Sequence, residues 1–217
     1  MKPVILFDLD GTLIDSTEAI LEGFRVAFTK FGDMVPHDEA IKEHIGHTLE
    51  DMFRLLGTVE SSIDEHVLAY KMHYRTIHCE KTYLIEGAKE AVERASEFAT
   101  LGVVTTKTGQ YSTELLEHLG LMHRFEVLIG REHVEFPKPH AEPILKALVK
   151  LEHDKSRSWM IGDTTMDILS AHNAGIQSIA VTSGYGSYET LQLYASNVCN
   201  NALSAVEFIK NYDSNKS

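Results

Sequence analysis

The chain has 217 residues, of which 43% are hydrophobic, and a formal net charge of −12. This is enough for one large domain, or for a core carrying a smaller inserted one. Such acidity, without a basic run or stripe, argues against nucleic acid as a partner, and no apolar stretch approaches the ~20 residues that span a bilayer. The apolar run after Met1-Lys2-Pro3 is too short for a signal peptide, and the two cysteines, Cys79 and Cys199, form no metal-like pair. A reduced, cytoplasmic setting is the expectation. The twelve histidines are scattered and read mostly as surface or helix-face residues.

The first predicted element is a buried strand, Val4-Ile5-Leu6-Phe7, running into Asp8-Leu9-Asp10-Gly11-Thr12. Alternation sets Asp8 and Asp10 on one side of an extended segment. Two adjacent carboxylates in a dry site repel, so the pair calls for a cation or a shared proton. Gly11 permits a sharp turn, and Thr12 brings a hydroxyl beside the acids.

From Thr17 to about Glu80 the pattern is helical only. Ser16 or Thr17 can cap a first helix with Ile20, Leu21, Phe24, Ala27 and Phe28 on one face, stopped near Gly32. A second helix is predicted over His37 to Ile45, a third over Leu49 to Leu56 behind a Thr48 cap, and a long fourth from Ser61 or Ser62 through Ile77.

After Tyr83 helices and strands alternate. A helix over Ala88–Phe98 precedes the strand 101–105, and one near Ser112–His118 precedes a strand over Phe125–Ile129. A helix over Ala141–Leu151 precedes Ser158–Gly162, and one over Met166–Ala174 precedes Ile179–Val181. A last helix covers Leu203–Tyr212, with frayed polar residues after it. The whole predicts an α/β fold, a Rossmann-like doubly wound parallel sheet, with an inserted all-helical cap: residues 1–15 and 83–217 form the core and 16–82 the cap. The insertion leaves just after Asp10, at the carboxyl edge where open α/β sheets bind ligands.

Three further polar groups fall at that edge. Thr105 and Thr106, in Thr105-Thr106-Lys107, offer hydroxyl and backbone donors to a phosphate oxygen, although simple helix capping accounts for them as well. Lys138 is held between Pro137 and Pro139, where an ammonium can neutralise neighbouring anions. Asp163, in Gly162-Asp163, tips a strand, and Asp167 follows one helical turn later; oxygen ligands so spaced suit Mg²⁺.

Together these residues resemble the haloacid-dehalogenase-like hydrolase superfamily. Its four motifs match Asp8-Leu9-Asp10-Gly11-Thr12, Thr105, Lys138, and Gly162-Asp163 with Asp167, over nearly the whole chain. The helical block looks like the superfamily's type-1 cap, and the nearest branch is the phosphoglycolate-phosphatase-like group. The resemblance implies a Mg²⁺-dependent phosphatase acting on a small phosphorylated metabolite, with a phosphoglycolate-like substrate favoured. It implies Asp8 as nucleophile and Asp10 as acid and base, with Thr105, Thr106 and Lys138 on the phosphate. The metal would be held by Asp8, the Asp10 carbonyl and Asp163, with Asp167 bound directly or through water.

The same motifs admit a β-phosphoglucomutase-type phosphomutase, or, in a different class, a phospho-aspartate signalling domain; the length and the insertion argue against the latter. In the cap, His47 is a candidate substrate contact and Arg54 and Arg75 candidate carboxylate partners. Monomer and homodimer are both compatible with the pattern.

Overall fold

The computed structural model describes residues 2–153 and 155–214. In chain order the elements are β1 (Val4–Phe7), β2 (Ile14–Asp15), α1 (Thr17–Phe31), α2 (Asp38–Lys42), α3 (Leu49–Leu55), α4 (Ile63–Ile77) and β3 (Tyr83–Leu84). Then follow α5 (Ala88–Phe98), β4 (Thr100–Val104), α6 (Gly109–His118), β5 (Val127–Ile129), α7 (Glu142–Lys150), β6 (Ser158–Gly162) and α8 (Thr165–Ala174). The chain closes with β7 (Gln177–Val181), α9 (Tyr188–Leu191), β8 (Val198–Cys199) and α10 (Ala202–Ser214).

Six strands form one sheet in the order β5-β4-β1-β6-β7-β8, and every pairing is parallel. The side-chain period of two divides its residues between two apolar layers. Ile5, Phe7, Leu101, Val103, Trp159 and Ile161 face α5, α6 and α10, whereas Val4, Leu6, Val104 and Met160 face α7 and α8. Both faces are therefore covered, which is why these strands read as continuous apolar runs instead of alternating ones. The doubly wound α/β architecture is as the sequence predicts. Strand β1 lies between β4 and β6, so the chain winds away from it in both directions. The crevice above that reversal is where such sheets take ligands.

Helices α1 to α4 build a separate apolar cluster, with Phe24, Phe28, Phe53, Tyr70 and Tyr74 at its heart. Phe24 packs against Phe53 at a centroid distance of 4.6 Å and against Tyr70 at 5.1 Å. Aromatic pairs of this kind add ~0.5–1.5 kcal/mol beyond the area they bury. Tyr111 and Tyr185, from the sheet-bearing part of the chain, pack on this cluster. The chain enters and leaves the helical segment through the antiparallel pair β2–β3, with Ile14 opposite Leu84.

Several boundaries differ from expectation. The second helix stops at Lys42, giving way to turns before Gly46. The strand predicted over Phe125–Ile129 begins at Val127, because Met122–Arg124 forms a short 3₁₀ turn. Ser16 stands at the N-cap of α1 but makes no side-chain cap bond; its hydroxyl donates instead to Asp10. Strands β2, β3 and β8 were not anticipated. The last helix, expected to end at Tyr212, continues to Ser214, and the rest of the frayed end expected after it lies outside the described residues. Among the described residues, no helix is long and apolar enough to cross a membrane.

Candidate active site

The carboxyl ends of three adjacent strands converge on one point. Asp8 follows β1, Thr105 follows β4 and Asp163 follows β6, and all three side chains are buried. Asp167 sits in the first turn of α8, where its Oδ2 accepts from the Thr164 backbone N–H at 3.0 Å and the Thr164 hydroxyl at 2.8 Å. These two bonds fix the carboxyl and aim Oδ1 at Lys138.

Carboxylate oxygens of Asp8, Asp163 and Asp167 lie within 4.8 Å of one another. One ammonium answers them. Lys138 Nζ is 2.8 Å from Asp8 Oδ1 and 2.5 Å from Asp167 Oδ1, and it donates to the Val104 carbonyl at 3.2 Å. Asp8 Oδ1 is in ion-pair contact with the ammonium but has no hydrogen-bond partner among the described residues. Asp163 Oδ1 accepts from the Thr12 hydroxyl at 3.1 Å, and Oδ2 from the Tyr185 N–H at 2.8 Å.

Burial raises the Asp8 carboxyl to about 7; the Asp167 charge adds to this and Lys138 opposes it. Burial likewise drives Asp163 well above the usual carboxylate range, reinforced by Asp8 and Asp167. Lys138 is held above its ordinary value because the two carboxylates outweigh the cost of burying it. Three buried acids against one ammonium leave an excess of negative charge, which a divalent cation with oxygen preference would compensate.

Glycine backbone closes around the Asp163 carboxylate where a side chain would not fit. A Cβ on Gly184 would stand 2.1 Å from Asp163 Oδ2, and one on Gly11 would stand 2.2 Å from the same oxygen. Gly11 also has a φ of +83°, in the left-handed region. The donor set and this glycine cradle fit Mg²⁺.

Strand β1 ends at Phe7, and Asp10 forms a bridge with Ile14. The Asp10 charge is a further influence that raises the Asp8 carboxyl. The Asp10 carboxylate accepts from the Ser16 hydroxyl and lies 3.2 Å from Lys107 Nζ.

Between sheet and helical segment lies a cavity enclosing about 560 Å³ out to open solvent. Its floor carries Asp10, Thr106 and Lys107, and its roof Ile45, His47, Glu50 and Tyr70. His47 is thus brought to the site, and partial burial lowers its imidazole from the ordinary value. Thr105 accepts from the Lys107 N–H at 3.2 Å. The Thr106 hydroxyl reaches the opposite way and donates to the Gly46 carbonyl of the helical segment at 3.0 Å. The arginines weighed as carboxylate partners are elsewhere. Arg54 is tied to Glu60 and Asp51 on the surface, and Arg75 is exposed and does not line the cavity.

The sequence reading passed over Lys107, Tyr74, Ser16 and Gly184. Lys107 had a signal, since it follows Thr105-Thr106 at the same sheet edge. Tyr74 had none, because its spacing reads only as a helix face.

A doubly wound sheet with buried acids at its carboxyl edge, and a helical segment inserted behind the first of them, defines a class of α/β hydrolase. The chain belongs to the haloacid dehalogenase-like hydrolase family, whose sequence pattern matches residues 5–181. It is 34% identical over 203 residues to "Probable phosphatase IndB" of Dickeya dadantii, covering 90% of this chain and 87% of that protein. It is 35% identical over 179 residues to the pyrophosphatase PpaX of Halalkalibacterium halodurans, covering 82% of each. A solved haloacid dehalogenase-like hydrolase of Streptococcus pneumoniae superposes with a TM-score of 0.86 at 28% identity, covering 95% of this chain and 98% of that one.

Proposed function

We propose that the protein is a Mg²⁺-dependent phosphatase that hydrolyses a small phosphomonoester through an aspartyl-phosphate on Asp8. Residues 1–15 and 83–217 serve as its catalytic core and 16–82 as a cap that closes over the substrate. The observation that carries this reading is the buried cluster of Asp8, Asp163 and Asp167 around Lys138. Phosphatase and pyrophosphatase names among the relatives support the reaction class.

Asp8 is the nucleophile. An ionised carboxylate needs no base to activate it, so the difficulty is electrostatic: an anion must approach a phosphate dianion. With Asp8, the Asp10 carbonyl and Asp163 as its ligands, bound Mg²⁺ would supply the positive charge that makes this approach affordable and ionises Asp8. Lys138 supplies the rest. Its contact with the Val104 carbonyl is the longest of its three and the one a phosphoryl oxygen can replace. Asp167 keeps the ammonium aimed throughout. Thr105 and Thr106 bind phosphoryl oxygens from the β4 side, Thr106 chiefly through its backbone because its hydroxyl proton faces Gly46.

Asp10 protonates the leaving oxygen and then takes a proton from the water that attacks phosphorus. Breakdown of the acyl phosphate returns Asp8 and releases orthophosphate. His47, Lys71 and Arg131 line the cavity beyond this point and suit a leaving group with its own anionic charge, as in phosphoglycolate. Pyrophosphate, named for the PpaX relatives, belongs on the same panel.

The test is phosphate release over a panel of phosphorylated acids, sugar phosphates, nucleotides and pyrophosphate, with and without Mg²⁺. The reading expects Mg²⁺-dependent orthophosphate from a small monoester and none from Asp8→Asn. Release of an isomeric sugar phosphate without orthophosphate would instead indicate a mutase.

A further inference from the structure

We propose that Lys107 and Tyr74 are positioning residues for Asp10: the tyrosine hydroxyl holds the ammonium, and the ammonium holds the carboxylate. The proposal rests on the reading of Asp10 as acid and base.

Asp10, Lys107, Tyr74 and Ser16 form a chain of polar contacts beside the cavity. Lys107 Nζ lies 3.2 Å from Asp10 Oδ2 and donates to the Tyr74 hydroxyl at 2.8 Å. The same ammonium stands 4.6 Å from the centre of the Tyr74 ring. The Ser16 hydroxyl donates to Asp10 Oδ1. Both Asp10 oxygens are then engaged, one by Lys107 and one by Ser16.

The members come from different parts of the chain. Asp10 and Lys107 follow strands β1 and β4, Ser16 stands at the entrance to the helical segment, and Tyr74 belongs to α4 within it. Tyr74 is only 1% exposed, stacked on Tyr70 at 5.3 Å and on His78 at 5.5 Å, so its hydroxyl cannot wander. Without the tyrosine hydroxyl the ammonium is free to swing, and the carboxylate with it. A carboxylate misplaced by an ångström is a poor acid toward a fixed leaving group.

The experiment compares Tyr74→Phe, Lys107→Met, Lys107→Arg and Asp10→Asn with the wild type. Tyr74→Phe keeps the stacked ring and removes only the hydroxyl. The substrates are p-nitrophenyl phosphate, whose leaving group needs little protonation, and phosphoglycolate, whose alkoxide needs it. The nitrophenolate burst reports attack by Asp8, and the steady state after it reports the hydrolysis that needs Asp10. Tyr74→Phe and Lys107→Met should keep the burst rate and KM within about threefold. Their steady-state kcat should fall about 10- to 100-fold on both esters, a part of the ~10²–10⁴-fold that placed acid–base help is worth. Lys107→Arg should recover part of the loss. Equal loss in burst and steady state, or wild-type kcat in both variants while Asp10→Asn is impaired, overturns the proposal alone. An Asp10→Asn enzyme with full turnover, or a wild type that releases no phosphate, overturns the functional reading beneath it.

Discussion

Lys138 neutralises Asp8 at 2.8 Å while it is also bound to Asp167 at 2.5 Å, so one buried ammonium serves two buried acids. Removing one partner of a buried ion pair leaves an uncompensated charge and costs ~3–5 kcal/mol. Lys138→Met, similar in length and uncharged, should therefore lose about that much stability near pH 8 without divalent cation. Urea unfolding measures it, with a shift in midpoint at constant slope. Addition of Mg²⁺ should recover part of the loss in the variant.

A cation that binds the folded chain alone stabilises it by mass action, by about 2.7 kcal/mol at a hundred times its dissociation constant. Mg²⁺ should raise the Tm of the wild type in a concentration-dependent way. Asp163→Asn removes a ligand and one of the mutually repelling acids. That variant should be at least as stable as the wild type without Mg²⁺ and should gain little from adding it. Calorimetric scans across a Mg²⁺ series decide the point.

The raised Asp8 carboxyl makes a pH prediction for the metal-free protein. In the unfolded chain this group ionises near 3.8, and in the folded chain near 7. Between those values the folded state binds more protons than the unfolded state, so stability falls as pH rises from about 4 to 7 and levels off above. Asp163 is shifted in the same direction. Saturating Mg²⁺, which favours the ionised acids, should flatten the slope. Denaturant midpoints across pH 4–8, with chelator and with Mg²⁺, provide the check.

The strands at the centre of the sheet were legible because both faces are covered, which leaves apolar runs such as Val4-Ile5-Leu6-Phe7 between polar breaks. Asp8, Asp163 and Thr105 were legible for a related reason: each follows such a run, and a parallel sheet carries all its strand ends to one edge. Lys138 lies in the loop beyond β5 and stood out through its flanking prolines. Strands β2, β3 and β8 have two residues each, too few for any periodicity. The partners of Asp10 were hidden as well. Ser16 and Lys107 meet it only in the folded chain. Tyr74 shows the limit most clearly, because its ring serves the helical core and its hydroxyl serves the site.

The glycine cradle should be as intolerant as the acids. A methyl on Gly184 would meet Asp163 Oδ2 at 2.1 Å and the Gly11 Cα at 2.6 Å, so one of them must move. Overpacking of this kind costs ~1–3 kcal/mol. Gly184→Ala should lose that much stability and also weaken the Tm response to Mg²⁺. A variant with normal turnover and a normal Mg²⁺ response would show that Asp163 need not stay where it is.

The central claim is that phosphorus is transferred to Asp8. Mixing enzyme with a good-leaving-group ester and Mg²⁺, quenching in acid within the first turnover and mapping the peptides tests it directly. The account predicts a phosphoryl group on Asp8, formed no slower than steady-state turnover and absent from Asp8→Asn. Sustained phosphate release with no phosphoryl group on Asp8 at any time, or with the group on another residue, would contradict it.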